Sequence, residues 1–264
     1  MALDGIVVSN LVHEMNEKLT GGRLSKIAQP ENDELLLTVK NQKDTHRLLL
    51  SASASLPLAY FTESNKANPL TAPNFCMLLR KHAGNGKILS VTQPGLERII
   101  DICLEHLDEM GDLCRKHLII ELMGKHSNII LTNHQHVILD SIKHVPSSMS
   151  SVREVLPGRP YFIPDTMHKK NPLTITETEA AAILHGRGNA AKVIYTSLTG
   201  ISPQAAEELL YRSGVDSSQS ADALSDQDRQ QFARELLLLV KDIQAGHFHP
   251  AIYLKNGEPK EFSS

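Results

Sequence analysis

Pro73-Asn74-Phe75-Cys76-Met77-Leu78-Leu79-Arg80-Lys81-His82-Ala83-Gly84-Asn85-Gly86-Lys87-Ile88-Leu89-Ser90-Val91-Thr92-Gln93-Pro94-Gly95-Leu96-Glu97-Arg98 reads as a helix, a break, a strand and a turn. Pro73 suits a helix start, where its missing N–H is not needed. Phe75, Leu78 and Leu79 give the helix an apolar face, and Gly84-Asn85-Gly86 ends it near Ala83. From Lys87 the pattern becomes that of strands, at 88–91 and 97–105, joined by the turn Gln93-Pro94-Gly95.

Towards the N-terminus, Val8, Leu11, Val12, Met15 and Leu19 fall at helical spacing, and Gly21-Gly22 stops that helix. Four β-like runs follow, at 23–29, 34–40, 47–52 and 58–62. Towards the C-terminus, strand patterns recur at 117–123, 128–133 and 136–144. The order helix, strands, helix, strands predicts an α+β fold rather than the alternation of a parallel α/β sheet. Residues 146–172 are rich in Pro and Ser and read as a boundary or linker. Helices are expected beyond it at 177–184, 190–198, 203–212 and 226–245. No internal repeat is present.

The 264 residues are enough to bury a sizeable core. There is no Trp and aromatics are only 4%, so the core is expected to be aliphatic and any base-stacking platform sparse. The formal charge of -3 gives no sign of nucleic-acid binding from the chain as a whole. An RNA-binding role would need its cations clustered, because phosphate contacts require local positive charge. Cys76, Cys103 and Cys114 form neither a disulfide framework nor a CxxC zinc pair, and suit free thiols in a reducing cytosol. The N-terminus lacks the pattern of a signal peptide, and no apolar run is long enough to span a bilayer. A cytoplasmic protein without membrane contact is the expectation.

Four motifs stand out. In the stretch from Leu198 to Ala206, one helix ends, Gly200 turns the chain, Ser202 caps the next helix and Pro203 opens it. This pattern fits a phosphate-holding helix-hairpin-helix and a plain αα-hairpin equally. Arg80, Lys81 and His82 end the second helix, and Lys87 follows. One or two cations there would complement the helix dipole. A cluster reaching to Arg98 leans towards phosphate contact. Glu97-Arg98 sits between a Pro-Gly turn and an apolar strand. By spacing alone a surface ion pair is the stronger reading, although Arg and Glu can also read phosphates and bases. Around Lys125, Glu121-Leu122-Met123-Gly124-Lys125-His126-Ser127-Asn128 reads first as a polar hairpin turn. No GxSxG, GxxxxGK[ST], HExxH or zinc signature occurs, and the pairs His134/His136 and His247/His249 lack further ligands. No enzyme, cofactor, metal or small-molecule substrate is implied.

Several phrases occur in the order of a known family: 1–5 (Met-Ala-Leu-Asp-Gly), 22–27, 74–87, 95–99, 121–130 and 156–161. They resemble the N-terminal region of bacterial NFACT proteins, the RqcH/NEMF family, whose older label is fibronectin- or fibrinogen-binding protein FbpA. The resemblance implies a β-rich domain over 1–172, similar to the N-terminal domain of formamidopyrimidine-DNA glycosylase. It implies a helix-hairpin-helix domain over 173–250, and over 251–264 the start of a segment leading to a further C-terminal part. It also implies ribosome-associated quality control. Such proteins bind tRNA, in bacteria that for alanine, and the large ribosomal subunit carrying a stalled peptidyl-tRNA. They support template-free C-terminal tailing, with the peptidyl transfer left to the ribosome.

The family's tRNA-reading residues fall on Asp4, Glu97 and Arg98. Glu97 departs from the Asp that many members carry, which moves the carboxylate by one methylene. The resemblance also favours Arg80, Lys81, Lys87 and Lys125 as RNA-backbone contacts. The glycosylases use an N-terminal Pro amine, and this chain has Ala2 and Leu3 instead, which leaves no such nucleophile. The older label keeps a surface adhesin as the alternative.

Overall fold

The computed structural model describes residues 3–165 and 167–264. Met1 and Ala2 lie outside the described residues, and with them the position at which the sequence lacks the glycosylase proline.

Helix α1 (Gly5–Leu19) opens the chain. Asp4 caps it by accepting the Val7 N–H at 2.9 Å. Val8, Val12, Met15 and Leu19 recur at helical spacing and are buried. Four strands follow: β1 (Arg23–Glu31), β2 (Glu34–Asn41), β3 (Asp44–Ser51) and β4 (Leu58–Phe61). After α2 (Asn74–Ala83) come β5 (Lys87–Thr92), β6 (Ile99–Leu107), β7 (Leu113–Glu121), β8 (Asn128–Asn133) and β9 (Ile138–Ser141). These nine strands form one antiparallel sheet in the order β4-β3-β2-β1-β5-β6-β7-β8-β9. The chain is thus an α+β protein built on a large antiparallel sheet.

The sheet narrows in its middle, where β1 and β5 meet over one short stretch: Arg23 pairs with Lys87, and four backbone hydrogen bonds link residues 21–24 with 85–88. Its two halves share one core. Leu24, Leu37 and Leu48 from the first half meet Ile88, Ile102 and Leu118 from the second, with Met15 and Phe75 of the two helices among them. An opened seam leaves strand backbone groups in need of partners. Asn16 of α1 supplies both for Val91: its Oδ1 accepts the N–H at 2.9 Å and its Nδ2 donates to the carbonyl. Across the seam, Arg80 Nε of α2 donates to the Ile27 carbonyl of β1 at 3.0 Å.

Within residues 146–172, which the sequence marks as a boundary or linker, the part up to 163 packs on the sheet. Val145 and Val155 bridge each other, and Val155, Tyr161 and Ile163 cover Ile99, Ile119, Ile130 and Ile138 on the outer face of the sheet. A buried ion pair fastens this cover. Arg153 Nη2 donates to both carboxylate oxygens of Glu121, which is 1% exposed, and the Tyr161 hydroxyl donates to Glu121 at 3.0 Å. Burial beside that carboxylate drives the Tyr161 hydroxyl far above its ordinary value.

Helices α3 (Glu177–Ile183), α4 (Ala190–Ser197), α5 (Pro203–Arg212) and α6 (Asp226–Ala245) follow. Each begins on a side-chain cap, from Thr176, Asn189, Ser202 and Ser225 respectively. They enclose a second core around Leu198, Leu210, Phe232 and Leu236, to which the first part of the chain contributes Ile6 and Leu96. Residues 251–264 form a hairpin of β10 (Ala251–Lys255) and β11 (Glu258–Ser263). It returns to the start of the chain: Phe262 packs on the first core, and Asn10 Nδ2 donates to Ser264 Oγ at 3.0 Å.

Candidate functional site

The start of α1, the turn between β5 and β6, and the turn between α4 and α5 meet at one point. Gly5 N–H donates to the Gly200 carbonyl at 2.8 Å. A Cβ on either glycine would stand 2.2 Å from the Leu96 carbonyl oxygen, so the contact excludes any side chain. Gly200 also has φ +75, a region that disfavours L side chains. Gln93 Nε2 ties the knot from beneath, donating to the carbonyls of Gly5 at 2.9 Å and Glu97 at 2.8 Å. Ser202 Oγ donates to Asp4 Oδ2 at 2.7 Å and accepts the Ala205 N–H at 3.1 Å. The α4–α5 turn therefore spends its polar groups on docking the helical half to the sheet.

Glu97 and Arg98 leave this knot side by side at the entry to β6. The Arg98 carbonyl accepts the Leu122 N–H at 2.9 Å, which anchors the turn to the end of β7. Among the described residues neither side chain makes a hydrogen bond or ion pair, so the ion pair favoured by spacing is not formed. Burial pushes the Glu97 carboxyl above its ordinary value, against the opposing pull of Arg98 and Lys169. Lys169 is drawn below its ordinary value by burial first and Arg98 second, and its Nζ donates to the Tyr195 carbonyl at 2.7 Å. The result is a half-buried acid with two cations and a second acid, Asp165, nearby and no hydrogen-bond partner among the described residues. That arrangement suits contact with a ligand that can donate to the carboxylate and accept from the guanidinium.

The remaining candidates separate. Asp4 borders the knot, but both its oxygens are engaged, by Val7 and Ser202. It lines an open cleft of about 800 Å³ between α1, α5 and β11, whose lining includes neither Glu97 nor Arg98. Lys125 is exposed in the short turn after β7. Ile99 pairs with Glu121, so this turn lies at the same end of the sheet as Arg98. Lys87 pairs with Glu105 at the far end of the β5–β6 hairpin, ~20 Å from Ile99 at the usual rise per residue. Arg80 is exposed and donates from Nε to the Ile27 carbonyl, and Lys81 pairs with Glu109 at 2.8 Å. The stretch from Arg80 to Arg98 is thus two places, not one. The sequence shows Gly200 and Ser202 as a turn and a cap, Gln93 as a turn residue and Gly5 within the opening phrase, but not that they dock together, and it assigns nothing to Lys169. Asp4 ahead of the apolar period of α1 was a legible cap signal; Lys169 had none.

Fold and site together define a class: an α+β protein in which a split antiparallel sheet and a helical bundle are pinned at one knot, with an acid–base pair displayed beside it. More particularly, the chain belongs to the family described as NFACT N-terminal and middle domains, whose model matches residues 4–264. It is 35% identical over 260 residues to the Rqc2 homolog RqcH of Bacillus subtilis (strain 168), covering 98% of this chain and 44% of that one. It is 37% identical, with a TM-score of 0.73, to the crystal structure of the N-terminal domain of fibronectin-binding protein PavA from Streptococcus pneumoniae, covering 79% of this chain and 78% of that one. The ribosome quality control complex subunit NEMF of Mus musculus is 27% identical over 213 residues, covering 79% of this chain and 19% of that one. The chain spans less than half the length of these curated relatives. Among the described residues no helix is long and apolar enough to cross a membrane.

Proposed function

We propose that this chain is the RNA-reading part of a cytoplasmic ribosome quality-control factor. It holds tRNA, that for alanine, on the obstructed large ribosomal subunit with its peptidyl-tRNA, and so supports template-free C-terminal tailing of the stalled chain. It acts by binding, and the ribosome performs the peptidyl transfer. The single observation that carries this reading is the Glu97–Arg98 pair. A rigid turn displays it, it has no partner within the described chain, and it resembles the family's tRNA-reading dyad, with Glu97 where many members carry Asp. On this reading Glu97 and Arg98 contact the nucleotides. Asp4 sets the turn's position through the knot, and Lys125, at the same end of the sheet, meets the backbone. The sequence resemblance further supports kinship of the sheet half with the glycosylase N-terminal domain, and of α4–α5 with a helix-hairpin-helix.

Titration of tRNA against the purified protein tests it. Arg98→Ala is expected to weaken binding by about tenfold, the order expected for one lost Arg contact. Unchanged affinity would remove the pair from the interface. RNA copurified from the host should be enriched in alanine tRNA and large-subunit rRNA, and random RNA would overturn the reading. The names of the pneumococcal relative, a fibronectin-binding protein, and of one from Streptococcus suis, a fibronectin/fibrinogen-binding protein, favour a second reading, a fibronectin- or fibrinogen-binding surface adhesin. Cell fractionation separates the two: sedimentation with large subunits supports the first, and a cell-wall pool the second.

A further inference from the structure

The seam of the sheet carries an unusual row of charge. Lys40 of β2 pairs with Arg23 of β1, and Arg23 pairs with Lys87 of β5. Residues directly opposite one another in adjacent strands project from the same face, so three cations stand abreast. All three are exposed. Lys26 of β1 is exposed beyond a bulge, and Lys43 is exposed in the β2–β3 turn. Among the described residues none of these five cations takes part in an ion pair, although the chain as a whole has more acids than bases. Arg23 makes one hydrogen bond, from Nη1 to the Asn85 carbonyl at 3.1 Å. The next residue along the row, Glu105 opposite Lys87, is met from its other side by Arg115 at 3.8 Å.

Like charges placed directly opposite destabilise a sheet by about 0.2–1 kcal/mol per pair. Here two such pairs sit side by side on the short stretch that joins the halves of the sheet; Glu105, opposite Lys87 and shared with Arg115, does not relieve the pairing of Arg23 with Lys40. An external polyanion would. Neighbouring strands lie about 4.8 Å apart, so the row spans about 10 Å. A helical nucleic-acid strand sets a phosphate every ~3.4 Å along its axis, so about three phosphates fall along it. We infer that Arg23, Lys40 and Lys87, flanked by Lys26 and Lys43, form a second RNA surface. It takes the phosphodiester backbone without reading sequence, at the opposite end of the β5–β6 hairpin from Glu97–Arg98. This inference rests on the RNA-binding reading above. It assigns Lys87 to a different surface from Arg98, and leaves Arg80 and Lys81 to their internal partners.

The test is the salt dependence of RNA binding by the purified protein, with tRNA as probe. The variant R23Q/K40Q/K87Q is expected to lower the slope of log affinity against log salt by about 2 to 3, since each phosphate contact contributes about 0.7 to 0.9. It should keep the discrimination between tRNAs that Arg98→Ala reduces. K192Q/K241Q/K255Q removes the same charge from exposed positions elsewhere and should leave the slope unchanged. Thermal unfolding at low salt should show R23Q/K40Q/K87Q no less stable than the parent, because neutralisation relieves the repulsion. A parental slope in R23Q/K40Q/K87Q overturns the inference, and so do equal losses in the two triple variants. If that variant loses heparin or an acidic protein while tRNA binding is unaffected, the occupant is not RNA. Failure of the functional reading looks different: the parent itself would bind no tRNA, or Arg98→Ala would change nothing while the slope still responded to the row.

Discussion

Glu97 is a carboxylate kept half out of water with no hydrogen bond to steady it among the described residues, and burial raises its proton affinity. In the folded chain it therefore binds protons at a pH where the unfolded chain has already released them. By linkage, its contribution to stability falls as pH rises from the ordinary carboxylate range through the raised folded value. Glu97→Gln removes that charge while keeping the shape. At neutral pH the variant should be as stable as the parent or slightly more so, by under about 1 kcal/mol, because solvent screens a half-exposed group. The difference should close in acid, where the parent is protonated as well. Urea midpoints measured across pH check this, and a clearly weaker variant at neutral pH would make the carboxylate a structural group. A residue that slightly weakens its own fold is expected where a contact needs it. The sequence displayed this pair plainly, next to a Pro-Gly turn. It could not show that adjacent opposite charges decline to pair, nor that Arg80 reaches a carbonyl 53 positions earlier in the chain.

At the scale of elements, residues 146–163 are held by chemistry rather than by periodicity. Arg153→Ala would leave Glu121 charged, buried and unpaired, a loss of about 3–5 kcal/mol. The cover over Ile99, Ile119, Ile130 and Ile138 should then become sensitive to protease. Adding Glu121→Gln should restore part of the loss, because the stranded charge is gone. Limited proteolysis and denaturant midpoints of the single and double variants measure both effects. If Arg153→Ala left the segment protected, its apolar contacts alone would hold it. Helices α1 and α2 and the four helices of the second core were legible because their apolar residues recur at helical spacing and, α2 excepted, local side chains cap them. The cover segment was not, since Val155, Tyr161 and Ile163 follow no strand or helix period and their partners lie on β6 to β9. Strands β10 and β11 escaped for another reason. Their flanks are exposed, so burial imposes no alternation on β10. The seam was invisible as well: each strand beside it reads as an ordinary strand, and only the shortness of the β1–β5 pairing, around Arg23 and Lys87, reveals it.

Over the whole molecule, two cores are joined through very few residues, and Leu96 is the one that ties the display of Glu97–Arg98 to the helices. It belongs to the turn between β5 and β6, yet it is fully buried in the core of the second half. Its carbonyl occupies the space that side chains on Gly5 and Gly200 would need. The turn is therefore rigid only while the helical bundle stays docked. Leu96→Ala opens a cavity at this junction, for which a loss of about 2–5 kcal/mol is expected. The loss should fall unevenly. The helical half keeps its capped helices and most of its core, and the sheet keeps its own core, so the variant should unfold in two calorimetric steps where the parent shows one. Hydrogen exchange should speed up first in the 93–98 turn and at the α4–α5 turn, while β6 to β8 keep their protection. The same variant should lose tRNA discrimination without any change to Glu97 or Arg98, and should keep the salt slope supplied by the row at the far end of the sheet. One cooperative transition together with normal discrimination would show that the turn holds its shape without the bundle, and that the knot serves assembly alone.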